Sequence, residues 1–93
     1  MPIIRLVKMT FQEENVNRFR ELFDERKDLI ASFPGCSQLE LLNVQNIFFT
    51  YSIWQDANAL EVYRKSDLFL STWALVKPLF ESKAEAWSLN KEY

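Results

Sequence analysis

The sequence predicts an α+β fold: one four-stranded antiparallel sheet, helices on one of its faces, in the order β-α-β-β-α-β. Two strand-like runs, residues 3–11 and 46–54, carry large apolar groups on both faces instead of alternating apolar with polar. Apolar positions at helical spacing fill the stretch between 12 and 32 and recur between 57 and 80. Breakers fall between these runs at Pro34-Gly35 and Asp56, and Pro78 sits inside the last of them.

The first strand is read as residues 3–11. Ile3, Val7, Met9 and Phe11 share one face with Arg5, and Ile4 and Leu6 share the other with Lys8 and Thr10. A long helix follows over 12–32. Its inner stripe is Val16, Phe19, Leu22, Phe23, Leu29, Ile30 and Phe33, and its opposite face is charged and solvated. Pro34-Gly35 stops the helix, because proline disfavours helix in the residue before it and glycine frees the turn. Residues 36–43 make a second strand, and 44–46 a short connection to the third.

In the third strand Ile47, Phe49, Tyr51 and Ile53 alternate with Phe48, Thr50, Ser52 and Trp54. Asp56 is a candidate N-cap for a helix over 57–65, and Ser66 or Asp67 for one over 68–80. The stripe of that last helix is Phe69, Trp73, Val76 and Phe80, with a kink or early end expected at Pro78. A final strand over 84–90 alternates Trp87 and Leu89 with Ala86 and Ser88. The order is the split β-α-β, ferredoxin-like arrangement with its second helix broken in two. Helices cover one face of such a sheet. The other face is also apolar here, and a second copy related by two-fold symmetry is its simplest cover.

Residues 1–93 are too few for a second core, so one domain is expected. The net charge is −2 and no basic stripe exists, so binding to nucleic acid or to an anionic membrane has no electrostatic support. There is no signal peptide, no apolar run of transmembrane length and a single cysteine, Cys36, so a cytoplasmic location is expected. Histidine is absent, which removes histidine–metal sites, Ser-His and Cys-His pairs and the usual general base. No metal site is expected. Aromatic residues make up 15% of the chain, a surplus that needs a pocket or an interface.

Three segments resemble the antibiotic biosynthesis monooxygenase (ABM) family: the Phe-Pro-Gly-Cys turn at 33–36, the strand ending Phe-Thr-Tyr-Ser-Ile-Trp at 49–54, and the helical stretch at 59–69. The resemblance spans most of the chain. It implies a dimeric α+β barrel, in which two four-stranded sheets pack face to face. It also implies an oxygenase that needs no cofactor and acts on a small aromatic or quinol-like substrate. The haem-degrading branch of the family uses an asparagine, a tryptophan and a haem-ligating histidine where this chain has Val7, Tyr63 and Trp73. An indole is a donor only and offers iron no acceptor nitrogen, so no cofactor is expected.

The residues themselves leave alternatives open. Trp54 is a structural plug at the sheet–helix junction or a pocket wall, and Pro34 and Gly35 are structural. Val7, Tyr51, Tyr63, Phe69 and Trp73 are candidate pocket-lining residues. In an oxygenase Tyr63 or a cleft carboxylate would manage the proton. Cys36 reads as a small buried hydrophobe. Arg5, the odd charge on its face, is expected in an ion pair, the other reading being a contact to an anionic substrate group. The alternative to an oxygenase is a non-catalytic dimeric module that binds a small apolar ligand.

Overall fold

In the computed structural model, which describes residues 1–93, four strands form one antiparallel sheet. They are β1 (Ile3–Thr10), β2 (Cys36–Val44), β3 (Ile47–Trp54) and β4 (Glu85–Leu89), in the spatial order β2-β3-β1-β4. Three helices, α1 (Val16–Ala31), α2 (Ala57–Arg64) and α3 (Asp67–Val76), lie on one face. No helix is long and apolar enough to cross a membrane.

The ends of the elements follow from local bonds. The first strand stops at Thr10, not at Phe11, and α1 begins at Val16, not at residue 12. Between them the backbone is held by other partners. The Phe11 N–H donates to Asn46 O at 2.9 Å, the Asn46 side-chain amide donates to Phe11 O at 2.7 Å, and the Gln12 N–H donates to Leu79 O at 3.2 Å. These bonds tie the chain to the turn before β3 and to the segment just after α3, so it passes through a 3₁₀ turn at Glu13–Asn15 before α1 forms. Asp56 caps α2 by accepting from the Ala59 N–H at 2.8 Å, and Ser66, not Asp67, caps α3 by accepting from the Phe69 N–H at 3.1 Å. Helix α3 ends at Val76, two residues before Pro78, and a 3₁₀ turn Lys77–Leu79 follows. Phe80, expected at the end of the helix, instead lies beyond it and bridges to Phe11.

Gly35 sits at φ +91°, open to glycine and strained for other residues. A Cβ there would stand 2.6 Å from the Cβ of Ala59 on α2. The turn 33–36 is thus pressed against the second helix. Its other ties are Gln55 N–H to Gly35 O at 2.7 Å and Cys36 N–H to Phe33 O at 2.9 Å. The β2–β3 hairpin closes on Gln45, at φ +53°, with Asn43 donating to Gln45 O at 2.6 Å.

The core is aromatic. Met9, Phe11, Phe19, Leu22, Phe48 and Val76 form its buried centre, with the Phe11 and Phe19 rings stacked at 4.2 Å. Leu29, expected in the inner stripe of α1, is 58% exposed. One helical step of about 100° separates it from buried Ile30, which turns it out of the row. The last helix is fastened to α1 by Arg26, whose guanidinium donates to Ser71 Oγ at 3.0 Å and Thr72 Oγ1 at 2.9 Å.

The register sorts the strand residues. Arg5 pairs with Ser52 and Ser88, and Val7 with Thr50 and Ala86, all on the helix-covered face. Leu6 pairs with Tyr51 and Trp87, and Lys8 with Phe49 and Glu85, on the opposite face. No helix covers that second face, where Leu42, Val44, Trp87 and Leu89 are 47%, 54%, 41% and 40% exposed.

Candidate functional site

Between the covered face and the three helices lies a cavity of about 340 Å³. The sheet supplies its floor through Arg5, Val7 and Met9 of β1, Leu39 of β2, and Thr50, Ser52 and Trp54 of β3. The helices supply its roof through Tyr63 and Arg64 of α2 and Phe69, Thr72 and Trp73 of α3. Fourteen of the nineteen lining residues are hydrophobic, and none is Asp or Glu.

The floor residues are alternate positions of neighbouring strands, so the sheet's two-residue period places them together. In the roof, Phe69 and Trp73 sit one helical turn apart on α3, and Tyr63 stands at the end of α2. Caps at Asp56 and Ser66 fix where those two helices start, which sets the phase of the rings.

The rings form a chain along one wall. Trp54 stacks on Tyr63 at 4.7 Å, Tyr63 meets Phe69 edge-on at 5.3 Å, and Phe69 lies parallel to Trp73 at 5.9 Å. Phe33 closes against Tyr63 at 5.3 Å. Trp54 is 1% exposed, and its indole N–H donates to Ser52 Oγ at 2.9 Å. A buried indole N–H needs such a partner.

Burial, reinforced by the nearby Cys36 sulfur, pushes the Tyr63 phenol up to about 12. At neutral pH it is an uncharged O–H donor, not a base. Burial also pushes the Cys36 thiol up, and the backbone carbonyl of Gln38, 3.5 Å from Sγ, is its one hydrogen-bond partner. Burial outweighs that hydrogen bond, which acts in the opposite direction, so the neutral thiol is favoured.

Arg5 departs from expectation. It makes no ion pair: the four in the molecule are Lys8–Glu85, Arg18–Glu21, Lys27–Asp24 and Arg64–Glu61. Its guanidinium donates instead to the Ser88 hydroxyl at 3.0 Å. Burial first, and then the like charge of Arg64, hold it below its ordinary value, while Glu61 acts in the other direction. The strand next to Arg5 on each side presents a serine, so its own sheet offers no carboxylate.

Val7, Tyr63, Phe69 and Trp73 are brought together on the cavity wall. Tyr51 is not. Its strand register pairs it with Leu6 and Glu40, so its side chain points to the open face, away from the cavity. Val7 pairs with Thr50, one residue before Tyr51, and consecutive strand residues point to opposite sides. A cleft carboxylate to manage the proton is also lacking, because no Asp or Glu lines the cavity. Thr50, Ser52, Thr72 and Arg64 line the cavity without having been singled out in the sequence. The strand period was the signal that could have found Thr50 and Ser52, which alternate with Tyr51. The residues do not fit haem, since the chain contains no histidine and Trp73 stands with its donor-only indole in the wall.

The family model for antibiotic biosynthesis monooxygenase matches residues 2–74. No curated protein matches the sequence significantly. Among solved structures, a conserved protein from Methanosarcina mazei Go1 superposes with a TM-score of 0.93 at 19% identity, covering 99% of this chain and 94% of that one. Rv0793 from Mycobacterium tuberculosis gives 0.90 at 17% identity, covering 98% and 95%. A variant of SnoaB, a cofactor-independent oxygenase from Streptomyces nogalater, gives 0.87 at 17% identity, covering 99% and 94%. At these identities the superpositions establish the fold. The family match establishes more: the chain belongs to the antibiotic biosynthesis monooxygenase family.

Proposed function

We propose that this member of the family is a cofactor-independent monooxygenase for a small aromatic, quinol-like substrate, built as one domain over residues 1–93 and working in the cytoplasm as a homodimer. The observation that carries the reading is the cavity, walled by the rings of Tyr63, Phe69 and Trp73 and otherwise mainly apolar. Such a site suits chemistry in which the substrate supplies the electrons. An acidic ring CH₂ carbon, or the hydroxyl of its enol tautomer, loses its proton to water at the cavity mouth, since no imidazole or carboxylate lines the cavity. The resulting carbanion gives an electron pair to O₂, forming a C–O bond and a peroxide anion. Protonation and loss of water then leave a carbonyl, so that a CH₂ group and O₂ become C=O and H₂O. The aromatic wall orients the ring and excludes water. The neutral Tyr63 hydroxyl donates to the oxyanion as it develops.

The homodimer rests on the open sheet face. An apolar surface rimmed by polar groups, here Lys8–Glu85 and Gln38–Glu40, has the anatomy of an interface. A stable one of this kind buries on the order of 2,000 Å² or more.

The test is oxygen uptake by purified protein with a panel of quinols, anthrones and related phenols. Substrate-dependent uptake is expected, and its absence across the panel would end the oxygenase reading. The second reading, a non-catalytic module binding a small apolar ligand, is favoured by one observation: the cavity holds no group that acts as a base at neutral pH. It would be sunk by turnover that collapses in Tyr63→Phe.

A further inference from the structure

We infer that Arg5 and Arg64 are the anion-recognising end of the cavity, so that its ligand is an aromatic ring bearing a carboxylate. This rests on the cavity being a ligand site, as proposed above, but not on catalysis. Both guanidinium groups line the cavity, whose remaining wall is chiefly apolar and contains no carboxylate. Arg64 is bound to Glu61 at 2.8 Å. Arg5 has only the neutral Ser88 hydroxyl. One carboxylate thus serves two guanidinium groups, leaving a positive charge beside an aromatic pocket in a chain whose net charge is −2.

A half-buried charge without a counter-ion is costly, and a ligand that brings one removes the cost. A second copy cannot bring it through the proposed dimer interface, because Arg5 points to the helix-covered face and the open face lies on the other side of the sheet. Arginine is also the side chain whose fork of donors matches a carboxylate. The two ends together select a ring by its faces and an anion by its charge.

The experiment is calorimetric titration of the full chain under nitrogen with 2-naphthoate and 2-naphthamide, the same ring with a charged and an uncharged group. Naphthoate is expected to bind about tenfold tighter or more, the scale of a charge-assisted bond over a neutral one. Arg5→Gln should bring the two affinities together by weakening naphthoate alone, and Arg5→Lys should restore part of the difference. Should Arg5→Gln fold poorly, Arg64→Gln, at the exposed end of α2, should narrow the ratio in the same direction. Equal affinities in the unaltered protein, or no binding of either, overturn the inference. Oxygen uptake is read separately. Discrimination without turnover ends the oxygenase reading and leaves this one standing. Quinol turnover with equal kcat/KM for carboxylated and uncharged substrates does the reverse.

Discussion

The two faces of the sheet are made from the same four strands and are treated differently by the rest of the chain. On the covered face Met9, Phe48 and Trp54 are each no more than 3% exposed, packed by α1 to α3 around a cavity. On the open face Leu42, Val44, Trp87 and Leu89 stay at least 40% exposed. One face completes itself within the protomer and keeps an internal space for a ligand. The other is apolar but unfinished. The contrast teaches that burial and function divide along the pleat: odd and even positions of one strand belong to different tasks.

The comparison breaks first at its tightest point. Phe11→Ala, at a residue with no exposure, should cost about 3–5 kcal/mol in urea unfolding. A loss below about 1 kcal/mol would mean the aromatic core is not the source of the protomer's stability. On the open face Trp87→Asp places a charge in the proposed interface and should cut the mass seen by light scattering from about twice 11.1 kDa to 11.1 kDa, with circular dichroism retained. A dimer that survives this change, or an unaltered protein that is already monomeric, would remove the interface from that face.

Tyr63 sharpens the contrast through pH. Its folded value of about 12 lies above the ordinary 10, so the neutral form is favoured in the fold. The associated stability is fully present below pH 10 and is lost as pH rises through 12, on the order of 3 kcal/mol in all. Tyr63→Phe should flatten this alkaline slope, and an unchanged slope would place the titrating group elsewhere. The smallest effect is expected at Leu29, 58% exposed on the outer side of α1, where Leu29→Gln should shift stability by less than about 0.5 kcal/mol. A larger loss would show that α1 buries this residue in some assembly.

Much of this was legible in the chain. Asp56 and Ser66 as caps, the stop at Pro34-Gly35 and the shortening before Pro78 follow from local chemistry, and all are where the local rules put them. The strand periods sorted side chains into two sets but could not say which set the helices would cover, because both are apolar. Val7 and Tyr51 therefore looked like neighbours in one pocket, although pairing puts them on opposite sides. Arg5 looked like half of an ion pair because only three-dimensional pairing shows that Ser52 and Ser88 flank it. Arg26, which ties two helices through Ser71 and Thr72, sat unseen in a charged helix face.

The sequence contains a single glycine, and it is wedged against Ala59. A main chain with no spare glycine has few inexpensive hinges. The roof of the cavity is a pair of capped helices, not a loop that can swing aside. The wall that meets a ligand is therefore set in advance, with Phe69 and Trp73 held parallel at 5.9 Å on one capped helix.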